Sequence, residues 1–241
     1  MTNFAFRIQY TTFMPALTLA SILQYLVEKD TDFFLRINSW HTPFWDVFMP
    51  LYSAKFVWVF FYVSLFYVIA RNYSLKTTLL WLLAVAVVII ACDQLSASVI
   101  RPFVARLRPS NLENPLSDVV HVVNGYRGGS YSFPSAHAAN SWGLSVFMIL
   151  LFRRPWISFT MVVWALLTCY SRMYLGVHYF GDLLVGMCIG CVLAVVVYYL
   201  LVWMAKIERP LEVRHAFVPL YTIVATVACF LVIATIETYV L

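Results

Sequence analysis

Three stretches of this chain are almost free of charge over lengths that a soluble domain cannot accommodate. Thr77–Ile100, Tyr179–Met204 and Phe217–Tyr239 each carry a single charged residue: Asp93, Asp182 and Glu237 respectively. A helix needs about 20 mostly apolar residues to cross a bilayer core roughly 30 Å thick. The remainder of the sequence points the same way, being 63% hydrophobic and 11% charged with a mean hydropathy of +0.83, where a soluble domain is about half apolar. The chain therefore reads as all-α, a polytopic transmembrane helix bundle in one domain.

Six main spans are expected: Phe56–Ala70 extended backward toward Pro50, Thr77–Ile100, Ala138–Leu151, Trp156–Tyr170, Tyr179–Met204 and Phe217–Tyr239. The N-terminal Thr11–Val27 is moderately apolar but interrupted by Pro15, Ser21 and Gln24, and shows no small-residue cleavage site. An amphipathic segment lying on the membrane is the preferred expectation, with a spanning helix as the alternative. The chain divides into residues 1–43 (interfacial or partly embedded), 44–206 (a catalytic helical core) and 207–241 (an additional C-terminal helix). The short turns holding Arg71 and Lys76, Arg153 and Arg154, and Lys206, Arg209 and Arg214 fit the cytoplasmic side. That puts the Arg101–His137 and Ser171–His178 connections on the outer face, periplasmic in a bacterial inner membrane.

A formal charge of +5 raises nucleic acid as a partner, but no Lys/Arg-rich stripe with interleaved polar groups is present. Anionic lipid is the better match. The five cysteines all lie in hydrophobic runs; Cys188 and Cys191 have a CxxC spacing without a second pair, which favours packing over redox or metal chemistry.

Three stretches, Arg101–Pro109, Phe133–His137 and Ser171–Asp182, together supply four arginines, two histidines and one aspartate where hydrophobic runs meet polar segments. Charge at the edge of a membrane bundle is costly and marks function. His178 and Asp182 are four residues apart, on one face if a helix starts near His178. A carboxylate there orients the imidazole and leaves its other nitrogen free to attack phosphorus; a helix-cap ion pair is the bland alternative. Ser135 and His137 stand at the mouth of the third span, as phosphate donor and general acid, or as an ordinary helix start. Arg172 offers a planar fork to phosphoryl oxygens. Arg101 and Arg108, seven residues apart, both point inward if the helix persists to Pro109. Arg106, two residues before Arg108, need not face the same way. Three arginines would repel a divalent cation, so neither metal nor cofactor is expected. Asp93 is assigned a structural hydrogen-bond role, His121 and Arg127 are outer-loop contacts or plain loop residues, and His41 finds no partner.

The order and spacing of these stretches resemble the type 2 phosphatidic acid phosphatase superfamily, whose pattern is Lys-x6-Arg-Pro, Pro-Ser-Gly-His and Ser-Arg-x5-His-x3-Asp. Arg101-x6-Arg108-Pro109, Pro134-Ser135-Ala136-His137 and Ser171-Arg172-x5-His178-x3-Asp182 match it over about Asp46 to Met204. The resemblance implies His178 as nucleophile, Asp182 as its partner and His137 as acid/base, with Arg101, Arg108, Ser135 and Arg172 binding phosphate. Arg101 replaces a lysine and Ala136 a glycine; neither change removes a reacting group. The expected activity is metal-independent hydrolysis of a lipid phosphate monoester or pyrophosphate, the partners being a phosphorylated membrane lipid and water. Undecaprenyl pyrophosphate is the first substrate. The alternatives are lipid A, phosphatidylglycerol phosphate, phosphatidic acid, phosphotransfer to a hydroxyl acceptor, and a non-catalytic binder or transporter of anionic lipid.

Overall fold

The computed structural model describes residues 18–208, 210 and 212–240. Residues 11–17 of the N-terminal segment and Arg209 of the last basic turn lie outside them. The described residues form nine α-helices: α1 (Leu19–Asn38), α2 (Pro43–Ser53), α3 (Val59–Asn72), α4 (Leu75–Asp93), α5 (Arg101–Val104), α6 (Ala136–Phe152), α7 (Pro155–Tyr174), α8 (Phe180–Ala205) and α9 (Val218–Tyr239). They contain no β-strand, only an isolated antiparallel bridge between Leu107 and Tyr131.

Among the described residues, three helices are long and apolar enough to cross a membrane: Leu75–Val104, Phe180–Ala205 and Val218–Tyr239. A bent pair, Pro43–Ser53 with Phe56–Asn72, adds a fourth if taken as one span. The chain is thus an integral membrane protein, but six crossings are not established. At 17 residues, α6 is about 25 Å long, short of the hydrocarbon core, and α7 carries Thr160, Thr168, Ser171 and Arg172 on its buried side. The expected continuous first span is instead broken by 70°. Pro50 sits inside α2, and Ala54, just past its end, is extended (φ −73°, ψ 139°). The break sets Ser53 and Lys55 at a turn.

Helix α6 lies at the centre, packed above all on α8, and also on α7 and α4. Small residues make the α6–α8 contact close. A Cβ on Gly186 would come within 2.4 Å of the Ser135 carbonyl, and one on Gly190 within 2.2 Å of the Ala139 carbonyl. Close approach of backbones through Gly-x-x-x-Gly is a recurring way to join helices in lipid, where apolar bulk gives no preference for a protein neighbour. Farther along, Trp81 of α4 stacks on Tyr198 of α8 at 5.6 Å.

Helix α9 covers α2 and α3, with the Phe230 ring 5.7 Å from that of Trp58. Helix α1 rests its C-terminal half on α7 and α8. Asn38, 1% exposed, donates to the Tyr174 carbonyl at 2.9 Å and accepts the His121 N–H at 2.7 Å. Its N-terminal half exposes Leu19, Ile22, Leu23 and Leu26.

Candidate active site

The three polar stretches meet at one end of the bundle. The Ser110 N–H donates to the Gly176 carbonyl (3.0 Å), and the Ser135 N–H donates to the Asp182 carbonyl (3.0 Å). The first contact ties the long polar connection to the α7–α8 turn. The second is a consequence of the glycine-mediated approach of α6 and α8.

His178 is 1% exposed and precedes the helix it was expected to start: α8 begins at Phe180, with Tyr179 as N-cap. The two residues therefore do not share a helix face. They meet because Asp182 is the capping residue of the first turn. Its Oδ2 accepts the Tyr179 N–H at 2.8 Å and lies 3.6 Å from His178 Nδ1. Nδ1 has no hydrogen-bond partner of its own, and 3.6 Å is too long for a normal hydrogen bond. Burial, then the charges of Arg108, Arg172 and Arg101, hold the His178 imidazole well below its ordinary range, so the ring is neutral at physiological pH.

Each expected arginine arrives by a different route. The helix stops before Pro109: after a π-helical stretch, Gln94–Ile100, and the single turn of α5, Ala105 takes a left-handed conformation (φ 50°). The two-turn helical register proposed for Arg101 and Arg108 is therefore not what unites them. Arg101 donates Nη2 to the Pro134 carbonyl at 2.9 Å from the helix end. Arg108, 7% exposed, comes from the loop and donates to the carbonyls of Tyr131 (3.1 Å) and Val177 (3.3 Å). Gly128 (φ +68°) makes room for it, since a Cβ there would fall 2.8 Å from Arg108 Nη1. Arg172 of α7 donates to Ser53 Oγ and to Tyr126 Oη. Burial, then repulsion by Arg172 and Arg101, lowers the Arg108 guanidinium to about 10. The Nε–H groups of Arg101 and Arg172 are buried without a protein acceptor. Crowded cations with spare donors form an anion site.

Ser135 is fully buried and caps α6, its Oγ accepting the Ala138 N–H at 3.4 Å. His137, two residues on in the first turn of α6, lines two adjoining cavities. One, about 560 Å³, is a mouth to which Lys55, Asn124, Tyr126 and Arg172 contribute polar groups. The other, about 420 Å³, is an apolar groove between α3, α4, α6 and α7, reaching Leu65, Val85, Leu144 and Met148. Ser53, Ala54, Lys55 and His137 border both.

Two neighbours escaped the sequence reading. Lys55 and Ser53 enter only because α2 and α3 are bent. Arg106 points to Asp182, 3.0 Å from its Oδ1; the only advance signal for that contact was a third arginine in a short stretch. Outside the site, His121 Nε2 lies 2.8 Å from Asp46 Oδ1 and stacks on His41 at 3.8 Å, so His41 does have a partner. His41, Asp46 and His121 offer ligand atoms within 4.8 Å of one another. The imidazole planes are nearly parallel (4°), so their in-plane lone pairs do not converge on one ion. Arg127 is tied to the Ser110 carbonyl at 2.6 Å.

The family model of the PAP2 superfamily matches residues 81–206. The chain is 47% identical over 169 residues to the lipid A 4′-phosphatase of Bacteroides thetaiotaomicron, covering 70% of this chain and 75% of that protein. An undecaprenyl-diphosphatase of Sulfolobus acidocaldarius is 28% identical over 60% of this chain and 63% of its own length. In fold, the chain is similar to the crystal structure of a transmembrane PAP2-type phosphatidylglycerolphosphate phosphatase of Bacillus subtilis, with a TM-score of 0.55 and 23% identity over 77% of this chain and 89% of that one. A family model that matches more than half of this chain, together with 47% identity to a curated relative, means that this chain belongs to the PAP2 superfamily.

Proposed function

We propose that this membrane phosphatase removes the 4′-phosphate of lipid A at the periplasmic face of a bacterial inner membrane. The observation that carries the reading is the meeting, at His137, of a mouth that presents Lys55, Asn124 and Arg172 and an apolar groove. That junction suits a phosphorylated sugar whose acyl chains remain in the bilayer. The 47% identity to a lipid A 4′-phosphatase supports the same substrate. The lower identity to an undecaprenyl-diphosphatase makes undecaprenyl pyrophosphate, expected first from sequence, the second reading.

In the mechanism we infer, Arg101, Arg108 and Arg172, with the Ser135 hydroxyl, bind the phosphoryl oxygens and take up the charge that spreads over them in the transition state. Neutral His178, oriented by Asp182, attacks phosphorus through Nε2. The bond from phosphorus to the sugar oxygen breaks, and His137, holding a proton while the phosphate dianion lies beside it, gives that proton to the oxygen. His137 then accepts a proton from water as the water oxygen displaces His178, releasing inorganic phosphate.

The test is phosphate release by the purified full-length protein in nanodiscs, from lipid A, undecaprenyl pyrophosphate, phosphatidylglycerol phosphate and phosphatidic acid in parallel. Lipid A should be turned over with the highest kcat/KM, with loss of the 4′-phosphate seen by mass spectrometry. A clear preference for undecaprenyl pyrophosphate overturns the substrate. Normal turnover by His178→Ala overturns the nucleophile.

A further inference from the structure

Asp182 is held by more than the helix it caps. Arg106 Nη1 lies 3.0 Å from Asp182 Oδ1 and 2.7 Å from Asp30 Oδ2, so one guanidinium joins a carboxylate of α8 to a carboxylate of α1. The guanidinium also lies 3.7 Å over the ring of Tyr179, the residue next to His178. Asp30 has a second grip: its Oδ1 accepts the Gly181 N–H at 2.8 Å. A Cβ at Gly181 would sit 2.9 Å from Asp30 Oδ2, so glycine is what allows that carboxylate to approach. Two of the free N–H groups that begin α8 are thus satisfied by two carboxylates, and one arginine links the pair.

We propose that Arg106 is a positioning residue for the reaction, seated by Asp30, and that it fixes the rotation of the Asp182 carboxylate so that Oδ2 faces His178. The inference rests on His178 being the nucleophile. With Oδ1 held by Arg106 and Oδ2 held by the Tyr179 N–H, the carboxylate has one orientation, and Oδ2 is the oxygen nearest the imidazole. Arg106 has no place among the phosphate-binding arginines. Its side chain is about one-fifth exposed, and both of its acidic partners are more buried than it is, an arrangement in which a charged hydrogen bond holds geometry well. Helix α1 thereby becomes a supporting wall of the reacting pair, through a residue distant in sequence from all three motifs.

The experiment compares Arg106→Gln, Arg106→Lys and Asp30→Asn with wild type, in nanodiscs, on whichever lipid the protein turns over fastest. Arg106→Gln is expected to lower kcat by about 10- to 100-fold, the range for a small misplacement of a reacting group. KM and inhibition by inorganic phosphate should stay within about twofold, because the phosphate-binding arginines are untouched. The single-turnover rate of phosphoenzyme formation should fall in parallel with kcat. Arg106→Lys, which keeps one charged donor, should restore part of the rate, and Asp30→Asn should show a smaller loss of the same type. Wild-type kcat in Arg106→Gln overturns the proposal. So does a loss that appears equally in KM, phosphate inhibition and thermal stability without rescue by lysine, which marks a merely structural ion pair. His178→Ala, assayed alongside, keeps the two readings separate: turnover in that variant rejects the nucleophile, whereas its loss together with a normal Arg106→Gln rejects only the positioning role.

Discussion

Asp182 Oδ2 stands 3.6 Å from His178 Nδ1 while accepting the Tyr179 backbone N–H at 2.8 Å. The same atom starts a helix and faces an imidazole. This dual use explains how a residue four positions downstream reaches a histidine that is not itself helical.

The first prediction separates these two duties. Asp182→Asn keeps a capping oxygen for Tyr179 but loses the negative charge opposite the imidazole. Helix content by circular dichroism should be retained, while kcat falls by about 10⁴-fold, as when a carboxylate that orients a catalytic histidine becomes an amide. A loss below tenfold in phosphate-release assays would leave capping as the residue's main role.

His137→Ala should slow turnover of a lipid phosphate by about 10²- to 10⁴-fold, the usual range for general acid–base catalysis. A phosphate ester with an acidic phenol as leaving group needs no proton at departure, so its phosphoenzyme burst should survive in this variant. A burst lost equally with both substrates would contradict the acid role.

The apolar groove should matter only to substrates with a tail. Leu144→Trp fills the space between Leu65, Val85 and Met148. It is expected to raise KM for a long-chain lipid phosphate severalfold and leave hydrolysis of a water-soluble phosphate ester unchanged. Equal effects on both substrates would place the chains elsewhere.

Gly190→Ala tests the close helix contact independently of chemistry. A methyl group 2.2 Å from the Ala139 carbonyl forces α6 and α8 apart, at a cost of about 1–3 kcal/mol. The melting temperature in detergent should fall, and activity with it, because the same contact carries the Ser135–Asp182 backbone bond. An unchanged melting temperature would show that the two helices can separate freely.

Protons and anions should act on stability in a defined direction. In the folded protein His178 is held neutral below its ordinary value, so the unfolded chain binds more protons between that lowered value and about pH 6.5. This group therefore costs stability as pH falls below about 6.5, and His178→Asn should flatten that part of the thermal-unfolding profile. Inorganic phosphate should raise the melting temperature by offsetting the burial and the repulsion that lower Arg108, and the shift should shrink in Arg108→Gln.

The class of fold and the polar residues of the candidate site were legible in one dimension, because long uncharged runs dictate helices in lipid and because sparse charge at their ends is conspicuous. Arg101, Arg108, Ser135, His137, Arg172, His178 and Asp182 gather at one end of the bundle, although not through the helical spacings expected for Arg101 with Arg108 and for His178 with Asp182. What spacing could not convey was how they gather. Capping geometry, a helix broken at Ala54, and a loop that carries Arg108 back under Gly128 are decided by backbone hydrogen bonds and steric fit among elements far apart in sequence. Arg106 shows the difference most plainly: its neighbours in the chain made it look like a weaker phosphate ligand, and only packing of α1 against α8 gave it two carboxylates to hold. A side chain's chemical type is written in its own letter, but its partner is chosen by whatever the folded chain brings within 3 Å of it.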